Sequence, residues 1–581
     1  MIMPCQIRRL KIERFRGIEA LSWLPGPGMN IILGGGDVGK TTMLDAISLL
    51  LHPTNTYALM DTDYWRRDVE SEFTIEAVMS VPADTGISEQ SKMNWPWEWD
   101  GTNPVFPTEA DDGSGLASEP VYVLRVRGTA DLELAYEIVQ PDGSVNSLSV
   151  GLRRAIGIIR LSGDDRNDRD LRLIQGSGLD RLLADRGLRG RLTQQLATED
   201  VKNRLKDEAQ ATLSDLETLF VERALPSSLG LGITGGQGIS LNSLVGLTAD
   251  KGGVTLPLTT WGAGTRRLST LAIADALRQE RPITVVDELE RGLEPYRQRA
   301  LVNDLRTSGS QVFVTTHSSA VLSAASGASL WYLDARGNLG RLPSDKIQRH
   351  QKSDPETFLA RLTVVCEGAT EFGFTSVLLD HAIGDFWDHG VWVTDGGGND
   401  SARDLLDALA AGGLTFAGMV DDEGRGTGRW ERIKKALGDL LVQWPDGCLE
   451  QHVIPLFERA ELLNVITDPA GERTGVRLRS LADRLEIADA DWTSIQAAAG
   501  ERLVPLIIEA ATGSVPSKLA SRKNEFKAHS RHWFKSVEGG REFAHKVLTL
   551  GAWPKLRPEV LPFLNALRRV VGLLGIEDLP L

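Results

Sequence analysis

Apolar and polar residues follow two patterns along the chain, one typical of β-strands and one typical of helices. Residues 7–18 alternate as a strand does, and Met29–Leu33 is a short apolar run that leads directly into a glycine-rich turn. Residues 41–51 then carry apolar side chains at helical spacing. Further strands are predicted at residues 73–81 and 121–139, so the first part of the chain mixes strands and helices in α/β fashion.

The pattern changes in the middle of the chain. Residues 230–253 are rich in glycine and are predicted to form a loop. Strands and helices return from residue 256, and a polar linker is predicted at residues 340–357. The apolar run Leu362–Cys366 then begins another α/β unit. The pattern therefore predicts two α/β parts joined by a linker.

Residues 168–221 are polar, contain no proline and have helical spacing. Their apolar stripe repeats every three or four residues and consists of Val201, Leu205, Ala209, Leu213, Leu216 and Phe220. Such a stripe is found on an ordinary pair of surface helices, and it is also found on a helical insertion through which subunits dimerise. The pattern alone leaves both interpretations open.

The composition excludes several classes of protein. A chain of 581 residues is too long for one ordinary core, and its 41% of hydrophobic residues are usual for a globular protein. A net charge of −15 disfavours nucleic-acid binding over the whole surface but does not exclude a local basic track. The apolar runs are too short to cross a bilayer, the charged N-terminal stretch is unlike a signal peptide, and the three cysteines lack metal-ligand spacing. We therefore expect a cytoplasmic protein that makes no contact with a membrane.

Residues 34–41 match the phosphate-loop pattern G-x-x-x-x-G-K-[ST]. The pattern lies between a predicted strand and a predicted helix, where backbone N–H groups and the helix dipole can hold phosphates. Lys40 is expected to contact the β- and γ-phosphates of ATP, and Thr41 is expected to bind Mg²⁺. The predicted nucleotide contacts in this segment are Gly34, Gly36, Gly39, Lys40, Thr41 and Thr42.

Two further apolar strands end in residues suited to ATP hydrolysis. The run at residues 283–286 is followed by Asp287, a candidate Mg²⁺ ligand, and by Glu288, a candidate catalytic residue that would polarise the attacking water. The run at residues 312–316 is followed by His317. Acids at the end of a single strand are commonly just solvated, but together with the phosphate loop they indicate an ATPase.

The order of these motifs resembles that of the ABC ATPases of the SMC, RecF and OLD (overcoming lysogenization defect) group. Residues 15–17 (Phe-Arg-Gly) are similar to their N-terminal F-R-G motif, residues 262–264 (Gly-Ala-Gly) to their signature motif, and His317 to their switch histidine. The chain departs from the pattern because Trp261 precedes these glycines and the usual signature serine is not evident. The resemblance implies that Gly264 contacts the ATP of a second subunit, so that hydrolysis requires a homodimer or a higher even oligomer.

A second set of acids lies in the C-terminal part of the chain. Glu367 and Glu371 follow the first apolar run of this part, four residues apart. A strand about fifty residues later ends in Asp421, Asp422 and Glu423. The carboxyl ends of parallel strands meet at one edge of a sheet, so these oxygens should converge and suit Mg²⁺ or Mn²⁺. Two such ions can promote the hydrolysis of a phosphodiester.

These acids resemble the E-G-x-x-E and D-x-D motifs of the TOPRIM domain, which OLD nucleases carry behind an ABC ATPase. Glu367 and Glu371 match the first motif, and Asp421 matches the first acid of the second. The resemblance implies that these three residues are catalytic metal ligands. Because the third position of the second motif is Glu423 rather than aspartate, either Asp422 or Glu423 is the second ligand there.

The family resemblance also implies two residues from later in the chain. A further acidic metal ligand is expected at residues 456–461, with Glu461 as the first choice and Glu458 as the second. A basic catalytic residue beside the metal ions is expected, and the candidates are Lys535 and Lys546.

Residues 518–569 form a basic stretch, with twelve Lys and Arg, four Glu and no Asp, which gives a net charge of +8. Trp533 and Phe534 lie within it. Such a stretch is commonly the solvated face of helices. It can also bind the DNA backbone beside a metal site, and the sequence leaves both interpretations open.

We therefore predict an α/β protein with an ABC-type ATPase domain, an inserted helical dimerisation element and a TOPRIM α/β domain with helical additions. The predicted bounds are 1–165 and 226–345 for the two parts of the ATPase domain, 166–225 for the insertion and 360–581 for the nuclease domain with its helical C-terminal region.

The predicted function is that of an ATP-binding, metal-dependent DNA endonuclease in antiphage defence or DNA processing, similar to OLD nucleases that include the Gabija type. The expected partners are DNA, further copies of the chain and a separate helicase-like or defence protein. A topoisomerase is disfavoured because all six tyrosines precede the TOPRIM-like segment. The alternative is an ATP-switched DNA-binding or recombination-like protein whose TOPRIM-like site does not cleave.

Overall fold

The structure is a computed structural model that describes residues 4–55, 57–88, 93–107, 119–161, 169–174, 177–185, 205–233, 245–276, 282–334, 337–422, 427–444, 447–515 and 521–580. The chain divides into two compact units, an N-terminal unit (Met1–Ser344) and a C-terminal unit (Asp345–Leu581). Within the described residues, no helix combines the length and the apolar character needed to span a membrane.

The N-terminal unit contains seventeen described strands and seven described α-helices. The strands are β1 (Gln6–Phe15), β2 (Ile18–Trp23), β3 (Met29–Leu33), β4 (Phe73–Ser80), β5 (Trp97–Trp99), β6 (Pro104–Val105), β7 (Glu119–Gly128), β8 (Leu134–Val139), β9 (Val145–Ser147), β10 (Ile158–Leu161), β11 (Gly230–Ile233), β12 (Val245–Lys251), β13 (Val254–Pro257), β14 (Ile283–Val286), β15 (Val312–Thr315), β16 (Ser329–Leu333) and β17 (Leu339–Leu342). The helices are α1 (Lys40–Leu50), α2 (Val150–Ile156), α3 (Gly178–Leu183), α4 (Asp207–Glu222), α5 (Ala263–Ala276), α6 (Pro295–Thr307) and α7 (Ser319–Ala324).

Six strands form a largely parallel sheet in the order β10-β14-β15-β3-β16-β17. All five residues of β3 are buried, as is usual for a strand that is covered on both faces. This strand lies between β15 and β16, with Ile31 opposite Val314 and Leu330. The phosphate loop follows β3, so it lies in the middle of the edge where the parallel strands end.

A second, antiparallel sheet contains β2, β1, β4 and β7 in that order. Helix α1 contacts β4 and β7 of this sheet and β14 and β15 of the parallel sheet, so it lies between the two. Met43, Leu44 and Ile47 of this helix are fully buried in the shared core. The helix that carries Lys40 and Thr41 is therefore held on both sides by apolar packing.

The apolar stripe predicted at residues 168–221 is used inside the N-terminal unit. In α4, the stripe residues Ala209, Leu213, Leu216 and Phe220 are buried, and this helix contacts α3 and α5. Val201 lies outside the described residues. The described part of the stripe thus packs on helices of its own chain, and the dimerising role of the insertion stays a prediction.

The prediction of a loop at residues 230–253 is wrong in part. Strands β11, β12 and β13 form a three-stranded antiparallel sheet instead. Leu231, Leu247 and Ala249 are buried in it. The glycines between these apolar residues are accommodated because a strand, unlike a helix, needs only every second side chain for packing.

The C-terminal unit has one described sheet and a large helical part. Its strands are β18 (Leu362–Cys366), β19 (Val391–Asp395), β20 (Phe416–Asp421) and β21 (Leu441–Trp444). Its helices are α8 (Ser344–Ser353), α9 (Ala369–Ile383), α10 (Asn399–Gly412), α11 (Thr427–Leu437), α12 (Leu449–Val453), α13 (Leu462–Ile466), α14 (Thr474–Leu485), α15 (Trp492–Ala499), α16 (Leu503–Thr512), α17 (Lys523–Ser530), α18 (Val537–Thr549) and α19 (Trp553–Val570). The four strands are parallel in the order β19-β18-β20-β21, so their carboxyl ends share one edge.

Helices α9 and α18 pack unusually close to each other. A Cβ atom on Gly373 would lie 2.0 Å from the carbonyl oxygen of Val537, and one on Gly540 would lie 2.1 Å from that of Thr370. The Thr370 hydroxyl also donates to the carbonyl of Phe534 at 3.0 Å. These contacts fix the segment before α18, which includes Lys535, against the start of α9.

Candidate functional site

The phosphate loop joins β3 to α1 through a glycine in the left-handed region. Gly39, the residue before the helix, has a φ of 103°, which an L side chain rarely adopts. Lys40 is 7% exposed, and its Nζ donates to the carbonyl oxygens of Gly34 at 2.9 Å and Gly35 at 2.5 Å. Burial lowers the pKa of Lys40, while the nearby Asp287 carboxylate opposes this effect. The amine is thus held directly over the loop.

A cavity of about 370 Å³ opens over this loop, within the range of about 300–1,000 Å³ that is usual for ligand sites. The predicted residues that line it are Gly36, Gly39, Lys40, Thr41, Thr42, Asp287, Glu288 and His317. Gly17 of the F-R-G segment and Thr315 line it as well. The cavity therefore collects residues from the ends of β3, β14 and β15.

Asp287 and Thr41 meet on one side of the cavity. The Thr41 hydroxyl lies 3.3 Å from Asp287 Oδ1, which also accepts the Thr315 hydroxyl at 2.5 Å. These hard oxygen donors fit a Mg²⁺ ion that accompanies ATP. Thr315 was not predicted; its position before Thr316 and His317, at the end of the strand next to β14, is the signal that could have found it.

Glu288 and His317 form another side of the cavity. The backbone N–H of Glu288 donates to the Thr315 hydroxyl at 2.8 Å, and its side chain is 47% exposed. An exposed carboxylate at this point can reach a water molecule. Burial and the Lys40 ammonium lower the pKa of His317, so its imidazole is neutral at neutral pH.

Gly264 lies at the start of α5 and packs on the turn that follows β14. A Cβ atom at this position would lie 2.1 Å from the carbonyl oxygen of Gly292, so the close approach requires glycine. Its predicted contact with the ATP of a second subunit stays a prediction.

A cluster of acids lies at the carboxyl edge of the sheet in the C-terminal unit. Glu367 follows β18, and its Oε2 accepts the backbone N–H of Asp421 and the Asn399 side-chain amide, both at 2.9 Å. Asn399 also donates to the Asp421 carbonyl at 3.0 Å. Asn399 was not predicted, although it directly follows the glycine turn at residues 396–398. It ties the ends of β18 and β20 together.

Three further carboxylates of this cluster are buried. Glu371, Asp421 and Glu450 are 4%, 7% and 0% exposed. Burial raises the pKa of both Glu371 and Asp421 above the ordinary range, and the charges of the neighbouring acids raise it further. Buried hard oxygens that repel one another fit a divalent cation, which would remove the repulsion.

Lys535 completes the cluster. Its Nζ lies 2.8 Å from Glu450 Oε1. Burial alone would lower the pKa of Lys535, but the Glu450 carboxylate raises it above its ordinary value, so the lysine is charged. Glu450 was missed in the sequence because no motif marks it. It follows β21, whose carboxyl end shares the edge of β18 and β20, and that neighbourhood is the signal that could have found it.

The structure pairs two predicted acids with residues outside this cluster. Glu458 is exposed and pairs with Lys555 at 2.7 Å, and Glu461 accepts the side-chain amide of Asn464 within its own turn. Glu450, rather than either of these acids, joins the cluster.

The side chain of Lys546 makes contacts that stabilise the fold of the C-terminal unit. Its Nζ donates to the carbonyl oxygens of Val465 at 2.5 Å and Thr467 at 2.6 Å, and it pairs with Glu542. It is therefore not available as the basic residue of the acidic cluster. Asp422 is partly buried, with its N–H bonded to the Trp444 carbonyl, and Glu423 lies outside the described residues.

Six of the twelve basic residues of the stretch at residues 518–569 form ion pairs among the described residues of the C-terminal unit. The pairs are Arg522–Glu525, Arg522–Asp483, Lys535–Glu450, Lys546–Glu542, Lys555–Glu458, Arg557–Asp578 and Arg569–Asp439. Trp533 and Phe534 are fully buried and cannot stack on bases. The structure therefore favours the solvated-face interpretation for the paired half of the stretch and excludes base stacking by its two aromatic residues.

In the metal-free protein, Asp421→Asn is expected to stabilise the C-terminal unit. The raised pKa of Asp421 means that the unfolded chain releases this proton more easily, so stability is lost as the pH rises above about 4, the ordinary carboxylate range. The substitution removes this loss and should raise the melting temperature by about 2–4 °C for a gain on the order of 1 kcal/mol. The gain should be clear at pH 8 in EDTA and absent at pH 4. Melting curves that show the same gain in melting temperature at pH 4 and pH 8 would contradict the raised pKa of Asp421.

Comparison with known proteins places an ATPase in the N-terminal unit. Residues 147–323 match the family described as "AAA domain, putative AbiEii toxin, Type IV TA system". The matched segment contains Asp287, Glu288 and His317, and the phosphate loop precedes it. The N-terminal unit therefore contains a segment that matches a family of ATPase domains.

Two curated relatives match shorter stretches. The DNA replication and repair protein RecF of Saccharophagus degradans is 29% identical over 134 residues, which are 22% of this chain and 34% of the relative. RecF of Teredinibacter turnerae is 44% identical over 46 residues, which are 8% of this chain and 12% of the relative. The chain thus spans about a third or less of the length of these relatives.

Two solved structures are also similar. The SMC head bound to the C-terminal winged-helix domain of ScpA is 15% identical with a TM-score of 0.39, over 59% of this chain and 99% of that one. The recombination mediator RecF with ATP is 12% identical with a TM-score of 0.36, over 59% of this chain and 99% of that one.

Proposed function

We propose that this chain is an ATP-regulated, metal-dependent DNA endonuclease similar to those of the OLD family, with a TOPRIM-type nuclease site in its C-terminal unit. The observation that carries the proposal is the meeting of four carboxylates and one lysine at the edge of a parallel sheet: Glu367, Glu371, Asp421, Glu450 and Lys535. Lys535 pairs with Glu450 and supplies one positive charge beside four carboxylates, and divalent-metal sites are built from several carboxylate oxygens.

In this proposal the carboxylates hold Mg²⁺ or Mn²⁺. Glu371 and Asp421 are the central ligands, Glu367 is oriented by Asn399 and the Asp421 N–H, and Glu450 adds a carboxylate from the far side of β20. Bound metal ions would lower the pKa of the attacking water and neutralise charge on the phosphodiester. Lys535 supplies a fixed positive charge that the protein itself keeps at the site.

The ATPase domain supplies regulation. Lys40 and Thr41 would bind the phosphates and Mg²⁺ of ATP, and Glu288 would act on the attacking water. The resemblance to ABC ATPases leads us to propose a homodimer or higher even oligomer, which light scattering with and without ATP would test. DNA and a separate helicase-like or defence protein are the proposed partners.

The direct test incubates the purified full-length protein with supercoiled plasmid in Mg²⁺ or Mn²⁺, with and without ATP. Nicked or linear product that is abolished by EDTA supports the proposal. Intact plasmid under every metal and nucleotide condition, from protein that hydrolyses ATP, overturns it.

A second candidate function is an ATP-switched DNA-binding or recombination-like protein whose acidic site does not cleave. The observation that favours it is the match to two RecF proteins, which are named for DNA replication and repair. ATP-dependent retention of an uncut DNA fragment in a gel-shift assay would support this candidate.

A further inference from the structure

Glu290 follows the acids of the nucleotide cavity but does not line the cavity itself. It belongs to the turn at residues 287–291, directly after β14. His317, which lines the cavity, lies after the neighbouring strand β15.

Both carboxylate oxygens of Glu290 are bound by consecutive residues of the other segment. Oε2 accepts the Thr316 hydroxyl at 2.6 Å, and Oε1 accepts the backbone N–H of His317 at 2.7 Å. Thr316 is fully buried. Hydrogen bonds to an ionised carboxylate are roughly twice as strong as neutral ones, so this two-point contact restrains the backbone of His317 firmly.

The other contacts between the two strand ends hold a different residue. Asp287 Oδ1, the Glu288 N–H and the Leu289 N–H all bind Thr315, at 2.5, 2.8 and 3.0 Å. They fix the last residue of β15. The contacts of Glu290 extend that fixation by two residues, to the histidine that faces the cavity.

The turn that carries Glu290 is itself anchored by α5. Arg267 of this helix is 8% exposed, and its guanidinium donates to the carbonyl oxygen of Asp287 and, at 3.5 Å, to that of Arg291. Arg267 therefore binds both ends of the turn. Arg267 thus fixes the turn that carries Glu290, and Glu290 in turn fixes the backbone of His317.

We propose that Glu290 is a positioning residue for ATP hydrolysis, which keeps His317 in place in the cavity wall. The imidazole can act on bound nucleotide only from a fixed backbone, and an error of about 1 Å can cost a hundredfold in rate. The proposal rests on the ATP half of the proposed function and is independent of DNA cleavage.

The test measures steady-state ATP hydrolysis and the binding of a fluorescent ATP analogue by the full-length protein. Glu290→Gln should lower kcat about ten- to hundredfold, while the dissociation constant of the analogue stays within about twofold. Glu294→Gln is the matched control, because Glu294 follows in the same segment but is 59% exposed. The control should hydrolyse ATP at the unmodified rate.

A double-mutant cycle separates positioning from general damage to the fold. In a His317→Ala background, Glu290→Gln should change kcat by no more than about twofold, because the group that it positions is already gone. The same large loss in both backgrounds would overturn the proposal.

Thr316→Val keeps the test decisive if Glu290→Gln does not fold. It removes only the hydroxyl that binds Glu290 Oε2, and kcat should fall severalfold with unchanged analogue binding. A rate equal to that of the unmodified protein, for a folded Glu290→Gln or for Thr316→Val, overturns the inference. Absence of ATP hydrolysis in the unmodified protein overturns the ATP half of the proposed function instead.

Discussion

Glu371→Gln is expected to abolish plasmid cleavage while ATP hydrolysis continues at its unmodified rate. The side chain is almost completely buried among Glu367, Asp421 and Glu450, and it is an amide of nearly the same shape after the substitution. Loss of one metal ligand removes several kcal/mol of stabilisation at the phosphodiester, which corresponds to about a thousandfold or more in rate. The ATP site lies in the other unit and keeps all of its residues.

Two related variants and one control sharpen this experiment. Glu367→Ala and Asp421→Ala should lose cleavage in the same way. Glu458→Gln is the control, since Glu458 is an exposed acid of the same unit that pairs with Lys555. It should cleave normally. Metal-dependent cleavage by pure Asp421→Ala protein would show that the cluster is not the site.

Lys40→Ala should remove ATP binding almost entirely. A buried ammonium that reaches the phosphates contributes about 2–5 kcal/mol, so the affinity should fall about thirtyfold or more. Any effect of ATP on cleavage should disappear with it. Isothermal titration with a non-hydrolysed ATP analogue measures the loss.

The contrast with two other variants makes this result specific. Lys11→Ala is the matched control, because Lys11 lies in the same unit but is 48% exposed and pairs with Glu13. Glu288→Gln should bind ATP normally and hydrolyse it about a hundredfold or more slowly, since its carboxylate acts on water rather than on the ground state. Normal hydrolysis by Glu288→Gln would contradict the role given to that residue.

The sequence predicts the parallel strands best. Residues 29–33, 283–286 and 362–366 are mainly apolar runs with one polar residue each, and the structure has strands with these bounds. Strands that are buried on both faces are nearly continuous apolar runs, which makes them easy to recognise. The strands within residues 230–253 were harder to predict, because antiparallel strands need few apolar residues and tolerate glycine.

Patterns of neighbouring residues in the chain predict only part of the acidic cluster. Glu367 follows an apolar strand and Asp421 ends one, and Glu371 is recognisable through its place in the E-G-x-x-E motif. Glu450 joins them because β21 is the next strand of the sheet. The order of strands in a sheet cannot be predicted from the local spacing of residues along the chain.

The choice between Lys535 and Lys546 depends on tertiary packing for the same reason. Both lie in one basic stretch, and only the packing of α18 on α9 decides which of them faces the acids. Three-dimensional neighbours, rather than neighbours in the chain, complete this site.

The close contact between α9 and α18 has a consequence for how the protein is made. Thr370 binds the carbonyl of Phe534, 164 residues further along the chain. At ordinary speeds of translation that interval takes on the order of ten seconds, and all four acids of the cluster are synthesised before Lys535. A nascent chain therefore carries these acids without their cation. The cleavage proposed for this site therefore requires that nearly the whole C-terminal unit has been synthesised and that its last helices have docked.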